Sequence, residues 1–292
     1  MELSTIEKQL LKKTLERFLE EDIRYGDITT KILKNSPVHA LVLYKSKGLV
    51  CGVEEARLLC EIGNVSVIDA IPDGEQVEKG TQIMALSGNL YDILGIERTL
   101  LNIMMRMSSI ATTTHEFITK IQSVNKHVKI AATRKTIPGF RLFEKRAVIV
   151  GGKGYSDSHR WSLDDMVLIK DTHLNASRKR LPELIADAKK STSFTKKIEV
   201  EVQSPEDAIL AAQSQADIIM FDNMSPSKIQ STIQKIHKTA ISKQMPIMEA
   251  SGNITLDNIL DYANCGVDII STSQLTLFPH VKIDISLEIL RD

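Results

Sequence analysis

Three cysteines in 292 residues, Cys51, Cys60 and Cys265, are too few and too unevenly spaced for a paired-ligand metal motif. Small, buried or half-buried roles are their ordinary reading, with catalysis or metal binding as the exceptions. No apolar run is long enough to cross a bilayer. The N-terminal segment lacks the basic start and apolar block of a signal peptide, so a cytoplasmic location is the default expectation. An excess of charge of either sign is missing too: Lys plus Arg total 37 and Asp plus Glu total 37. A nucleic-acid binder usually needs a net basic surface, so this balance argues against one, while leaving room for a few cations gathered in a pocket. Both standard nucleotide fingerprints are absent. GGKGYS at 151–156 does not fit GxxxxGK[ST], and no GxGxxG opens a helix after a strand.

What is present is an ordinary globular mix, 42% hydrophobic and 25% charged, in a chain long enough for one large domain or two moderate ones. At the N-terminus Ser4 and Glu7 form a candidate capping box, and Ile6, Leu10, Leu15, Phe18 and Leu19 approximate a helical stripe. Residues 38–51 and 65–86 carry short β-branched or aromatic runs broken by Lys-Gly and Pro72-Asp73-Gly74 turns, which predicts a small sheet. A long helix is expected over about 92–124, with Ile93, Ile96, Leu100, Ile103, Met104 and Met107 near one side. From about residue 128, six strand-like runs alternate with helical ones: VKIAAT, DMVLIK, KKIEVEV, ADIIMFD, PIMEA and VDIIST. Such alternation predicts parallel strands joined by crossover helices, either in a β/α barrel, complete or nearly so, or in an open doubly wound sheet.

Polar residues gather where these strands end: Arg134 and Lys135, Lys170, Glu201, Asp222, Glu249 and Ser251. In barrels of this kind, residues distant in sequence converge at the carboxyl ends of the strands. TRKTIPGFR, SDSHRWS and LIKDTH together supply Arg134, Lys135, Arg141, His159, Arg160, Lys170 and His173. Guanidinium forks and mobile ammonium groups suit a ligand bearing carboxylate or phosphate; a solvated charged surface is the plainer reading. In IEVEV, Glu199 and Glu201 share one strand face, and buried acids need partners. Glu201 and Asp222, on successive strands, are the expected Mg2+ pair, with internal pairing to Lys135 or Lys170 as the alternative. SGNIT at 251–255 is a flexible turn placed before a predicted helix, a setting in which backbone N–H groups hold phosphate.

Taken together, EDIRYGDITT (21–30), IERTLLNIMMRMSSIAT (96–112), TRKTIPGFRLFEKRAV (133–148), HRWSLDDMVLIKD (159–171), IEVEV (198–202), ADIIMFDNM (216–224) and EASGNIT (249–255) resemble the quinolinate phosphoribosyltransferase family. That resemblance implies an incomplete α/β barrel with an N-terminal α/β sandwich. The sandwich would span 1–110 and be completed by the tail 274–292, with the barrel over 111–273. It implies a homodimer with shared active sites, or a higher oligomer of it, acting on quinolinate and phosphoribosyl pyrophosphate with Mg2+ to give nicotinate mononucleotide, pyrophosphate and CO2. Arg98 would reach a neighbouring subunit's substrate, while Arg134, His159 and Arg160 would hold the pyridine dicarboxylate. Lys135 and Lys170 would span both substrates, Glu201 and Asp222 would serve ribose and Mg-pyrophosphate, and Ser251 and Gly252 would take the 5-phosphate. Lys135, Lys170, Glu201 and Asp222 are the residues expected to act in catalysis. The chain departs from the family in a lengthened glycine turn (154–157) and in Thr172 for Asn. It also has Asn253 in an SGN turn for SGG, and Ser273 and Leu277 where a glycine and a histidine are usual. The alternatives are a related transferase for another aromatic acid and a non-catalytic anion-binding regulatory protein. DGEQVEKGTQI resembles half of a carrier domain, but no second half presents a modifiable lysine.

Overall fold

Local sequence decides the elements, and the structure, a computed structural model, describes residues 4–239 and 245–290. In chain order they are α1 (Thr5–Ile23), β1 (Pro37–Tyr44), β2 (Gly48–Leu49), α2 (Val53–Ile62), β3 (Ser66–Ala70), β4 (Gln76–Val77), β5 (Thr81–Asn89) and α3 (Leu90–Gln122). There follow β6 (Lys129–Ala132), α4 (Arg141–Gly152), β7 (Ser156–Asp157), β8 (Val167–Ile169), α5 (Asp171–Ser177), α6 (Leu181–Ser191) and β9 (Ile198–Val202). The rest are α7 (Pro205–Gln213), β10 (Ile218–Asp222), α8 (Pro226–Thr239), β11 (Ile247–Ser251), α9 (Ile259–Ala263), β12 (Ile269–Thr272) and β13 (Ile285–Ile289). They form two compact units. One comprises the chain up to Thr113, Leu142–Gly151 and the segment from Pro279; the other comprises Thr114–Arg141 and Gly152–Phe278. The insertion Leu142–Gly151 therefore sits with the first unit, although the sequence groups it with the barrel.

In the first unit, α1 begins at the expected capping box: the Glu7 N–H donates to Ser4 Oγ, and the Ser4 N–H returns a bond to Glu7 Oε2 at 2.8 Å. The helix buries a different stripe from the expected one. Leu11, Leu15 and Leu19, spaced four apart, are inside, whereas Ile6 and Leu10 are 70% and 59% exposed. A four-residue repeat keeps one face turned inward, and the expected set mixed two faces. The antiparallel sheet runs in the order β13-β1-β5-β3, so the last strand pairs with the first along Ala40↔Ile289 to Tyr44↔Ile285. Its core includes Tyr44, whose hydroxyl donates to Leu49 O at 2.9 Å. Two fully buried acids have basic partners: Arg106 donates to Glu144, and Arg146 Nε lies 2.9 Å from Glu55 Oε1. Gly151 allows α3 and α4 to meet, since a Cβ there would lie 2.1 Å from the Ala111 carbonyl oxygen.

The second unit holds seven parallel strands in the order β7-β6-β12-β11-β10-β9-β8. Its β9, β10 and β12 cores are apolar, with Val200, Ile219, Phe221 and Ile270 inaccessible to solvent. Such doubly covered strands are what crossover helices demand. The sheet stays open at β7 and β8, one strand short of the eight of a closed barrel. It is nevertheless curled. Five strand spacings of roughly 4.8 Å would keep β7 about 24 Å from β9 in a flat sheet. His159, two residues beyond β7, lies 3.5 Å from Glu199 on β9.

Candidate active site

The concave face follows from strand register. Parallel pairing sets Glu201 beside Met220, Met220 beside Glu249 and Asp222 beside Ser251. With a period of two, Glu199, Glu201, Met220, Asp222, Glu249, Ser251 and Ser271 share one face. Where this face reaches the carboxyl ends it becomes a cavity of about 530 Å³. Nine expected residues line it: Arg134, Lys135, His159, Arg160, Lys170, Glu201, Asp222, Ser251 and Gly252. Sequence reasoning missed other wall residues, among them Thr133, Leu168, Asn223 and Ser271. Arg98 lies elsewhere, exposed on α3 in the first unit.

The cationic side of the cavity has unused donors. The Nε atoms of Arg134 and Arg160 are buried without an acceptor among the described residues. Burial, together with the charge of Arg134, lowers the pKa of Arg160 despite the opposing pull of Glu199. Two guanidinium groups held this way favour an anionic ligand that returns the lost solvation. Arg141 belongs to the support rather than the wall: its Nε donates to Thr136 Oγ1 at 3.0 Å and its Nη1 to Trp161 O at 2.9 Å. His173 is not among the wall residues, and its Nδ1 accepts from the Lys170 N–H at 3.0 Å.

On the acidic side, Lys170 Nζ sits 3.2 Å from Glu201 Oε2, the internal pairing that the sequence left open. Asp222 Oδ2 accepts from Asn223 Nδ2 at 2.9 Å and from Gln203 Nε2 at 3.4 Å. Its Oδ1 has no protein donor among the described residues. Two hard carboxylates bordering one cavity fit Mg2+, which takes one or two such ligands and fills its shell with water and substrate phosphates.

The turn after β11 corrects the helix-terminus expectation. No helix starts at residue 255; α9 begins at Ile259 and has five residues. The turn owes its shape to Gly252 at φ +90° and Asn253 at φ +51°. A Cβ at Gly252 would come within 2.5 Å of Asn223 Oδ1, so glycine is required there. Asparagine tolerates the left-handed region, and Asn253 Nδ2 donates to Asn223 Oδ1 at 2.8 Å.

Beneath the cavity lies a group the sequence did not assemble. His159 Nε2 is 3.3 Å from Glu249 Oε2 and 3.5 Å from Glu199 Oε2, with both acids inaccessible to solvent. Burial alone would lower the histidine pKa, but the two carboxylates outweigh it and raise the value to about 10. Burial pushes Glu199 up, and Glu249 adds to the rise against the lowering effect of His159. Among the described residues this trio is the one cluster with metal-ligand spacing. The distances describe an ion-paired trio in which one imidazole nitrogen lies between two carboxylates.

Comparison with known proteins gives a consistent picture. Residues 27–108 match the family described as quinolinate phosphoribosyl transferase, N-terminal domain, and residues 110–288 match its C-terminal domain. A protein of Methanothermobacter thermautotrophicus named probable nicotinate-nucleotide pyrophosphorylase (carboxylating) is 41% identical, over 94% of this chain and 97% of that one. The human nicotinate-nucleotide pyrophosphorylase (carboxylating) is 31% identical over 91% of this chain and 87% of its own. The solved nicotinate-nucleotide pyrophosphorylase of Francisella tularensis superposes with a TM-score of 0.87 at 32% identity, covering 97% of each chain.

Proposed function

The chain belongs to the quinolinate phosphoribosyl transferase family, and from that premise we propose that the cavity of the second unit is where its chemistry occurs. The enzyme transfers phosphoribosyl from phosphoribosyl pyrophosphate to quinolinate and releases pyrophosphate and CO2, leaving nicotinate mononucleotide. The observation that carries the site assignment is the gathering of Arg134 and Arg160 on the wall of the same cavity as Glu201 and Asp222.

Arg134, Arg160 and His159 hold the two carboxylates of the pyridine ring, and Lys135 and Lys170 bridge toward the phosphoribosyl group. Ser251 and Gly252 receive the 5-phosphate. Glu201 and Asp222 hold the ribose hydroxyls and Mg2+, which when bound offsets charge on the departing pyrophosphate. The bond from ribose C1 to pyrophosphate oxygen breaks as positive charge spreads over the sugar ring, and the pyridine nitrogen forms its bond on the opposite face. Its lone pair needs no base. Lys135 and Lys170 stabilise the charge that develops on the leaving group, a preorganised role that requires no movement at the moment of reaction. The ring nitrogen, now cationic, accepts the electron pair left when the 2-carboxylate departs as CO2, and a proton takes its place at C2. The arginines must orient that carboxylate without gripping it more tightly than the transition state.

Arg98 serves the cavity of a second subunit in a homodimer, and the enzyme works in the cytoplasm. Among the described residues no helix is long and apolar enough to cross a membrane. Purified protein incubated with quinolinate, phosphoribosyl pyrophosphate and Mg2+ should yield nicotinate mononucleotide and CO2 in equal amounts. Product from nicotinate but none from quinolinate would reject the dicarboxylate assignment.

A further inference from the structure

The inside of the curled sheet contains two carboxylates that the transfer reaction does not use. Glu199 and Glu249 project from β9 and β11, and none of their four oxygens has a hydrogen-bond donor in good alignment among the described residues. Burying two such groups side by side costs stability that a pair of leucines would not, so stability alone does not account for them. Both Oε2 atoms converge on the Nε2 of His159, which is itself buried. The histidine is fixed at its backbone as well. Its φ of +50° is unusual for a side-chain-bearing residue, and its N–H donates to Asp157 Oδ1 at 2.7 Å. With the main chain held by Asp157 and the inner ring nitrogen held by two acids, Nδ1 is left for the cavity that His159 lines.

We propose that Glu199 and Glu249 are positioning residues, a two-armed clamp that presents the His159 ring to the substrate carboxylate in a single orientation. The proposal rests on the assignment of this cavity to quinolinate. The clamp acts on one substrate only. Its loss frees the ring that meets the pyridine dicarboxylate and leaves the ribose side, built on Lys170, Glu201 and Asp222, in place. Either acid alone would allow the ring to swing about the remaining contact; two acids from strands on either side of β10 remove that freedom.

The test uses the full-length enzyme with Glu199→Gln and Glu249→Gln, which preserve volume and acceptor oxygens, together with His159→Asn and the double variant His159→Asn/Glu249→Gln. Each single glutamine variant should raise the KM for quinolinate about tenfold, as expected for one lost charged hydrogen bond, and shift that for phosphoribosyl pyrophosphate by less than about twofold. Calorimetric titration with quinolinate alone should show the same loss without turnover. In the His159→Asn background, Glu249→Gln should add almost nothing to the quinolinate effect, because the group it positions has gone. Equal losses for both substrates, additive losses in the double variant, or a glutamine variant indistinguishable from the parent would each overturn the clamp. Elemental analysis supplies an independent check: a stoichiometric transition metal in the parent that disappears in Glu249→Gln would make the trio a metal site and overturn the clamp as well. A parent enzyme inactive with quinolinate would instead overturn the cavity assignment, which separates the two failures.

Discussion

Single side chains set the affinity of the cavity. Arg134 and Arg160 both line the ligand space, so Arg134→Ala and Arg160→Ala should each cut kcat/KM at least about tenfold, the size of one charge-assisted hydrogen bond. Unchanged melting temperature would show that folding is intact, and near-normal rates would remove either residue from the substrate. Elsewhere Glu55 carries a pH signature. Burial raises its pKa to about 7, even though Arg146 opposes the shift from ion-pair distance. The folded protein therefore holds a proton between about pH 4.5 and 7 that the unfolded chain has released. Stability from this group is present at low pH and is lost as pH rises through about 7. Melting temperatures measured from pH 5 to 8 should fall less steeply in Glu55→Gln than in the parent, whatever the offset between the curves. The residues of the cavity wall were largely legible in the sequence, because strand-terminal Arg134, Lys170, Glu201 and Asp222 interrupt apolar runs. The union of His159 with Glu199 and Glu249 was not, since it depends on curvature that brings the segment after β7 to side chains of β9 and β11.

Elements were legible in proportion to their apolar content. All six expected strands of the second unit exist, each a run of β-branched or aliphatic residues. The seventh, Ser156–Asp157, has no apolar residue and escaped notice, as did the short polar helix Asp171–Ser177. The misplaced face of α1 has the same origin: leucines at 10, 11, 15 and 19 allow two helical phases, and only packing selects Leu11, Leu15 and Leu19. Contact between helices leaves no room for a side chain at Gly151, where α4 meets the Ala111 carbonyl of α3. Gly151→Ala should cost about 1–3 kcal/mol by forcing the helices apart, readable as a lower urea midpoint with an unchanged slope. An unaffected midpoint would mean that the helices separate freely.

For the molecule as a whole, the balance of 37 basic and 37 acidic residues conceals strong segregation, with five cationic side chains around one cavity. Arg98 is outside that cavity, in the first unit. If it completes a partner's site, mixed dimers of Arg98→Ala with Lys170→Ala should regain activity that neither homodimer has, to about one quarter of the parent when subunits pair at random and one site in each mixed dimer is intact. Mixed dimers that form but stay inactive would rule out the shared site.

The unclosed sheet has one more consequence. Its rims, β7 and β8, are two and three residues long and pair on one side only, whereas β10 and β11 are flanked on both. Amide hydrogens on the rims should therefore exchange with deuterated water far sooner than those of Ile219 or Ala250. The rims lead into His159, Arg160 and Lys170, so bound quinolinate should slow exchange there first. Substrate would act as the brace that the missing strand does not provide.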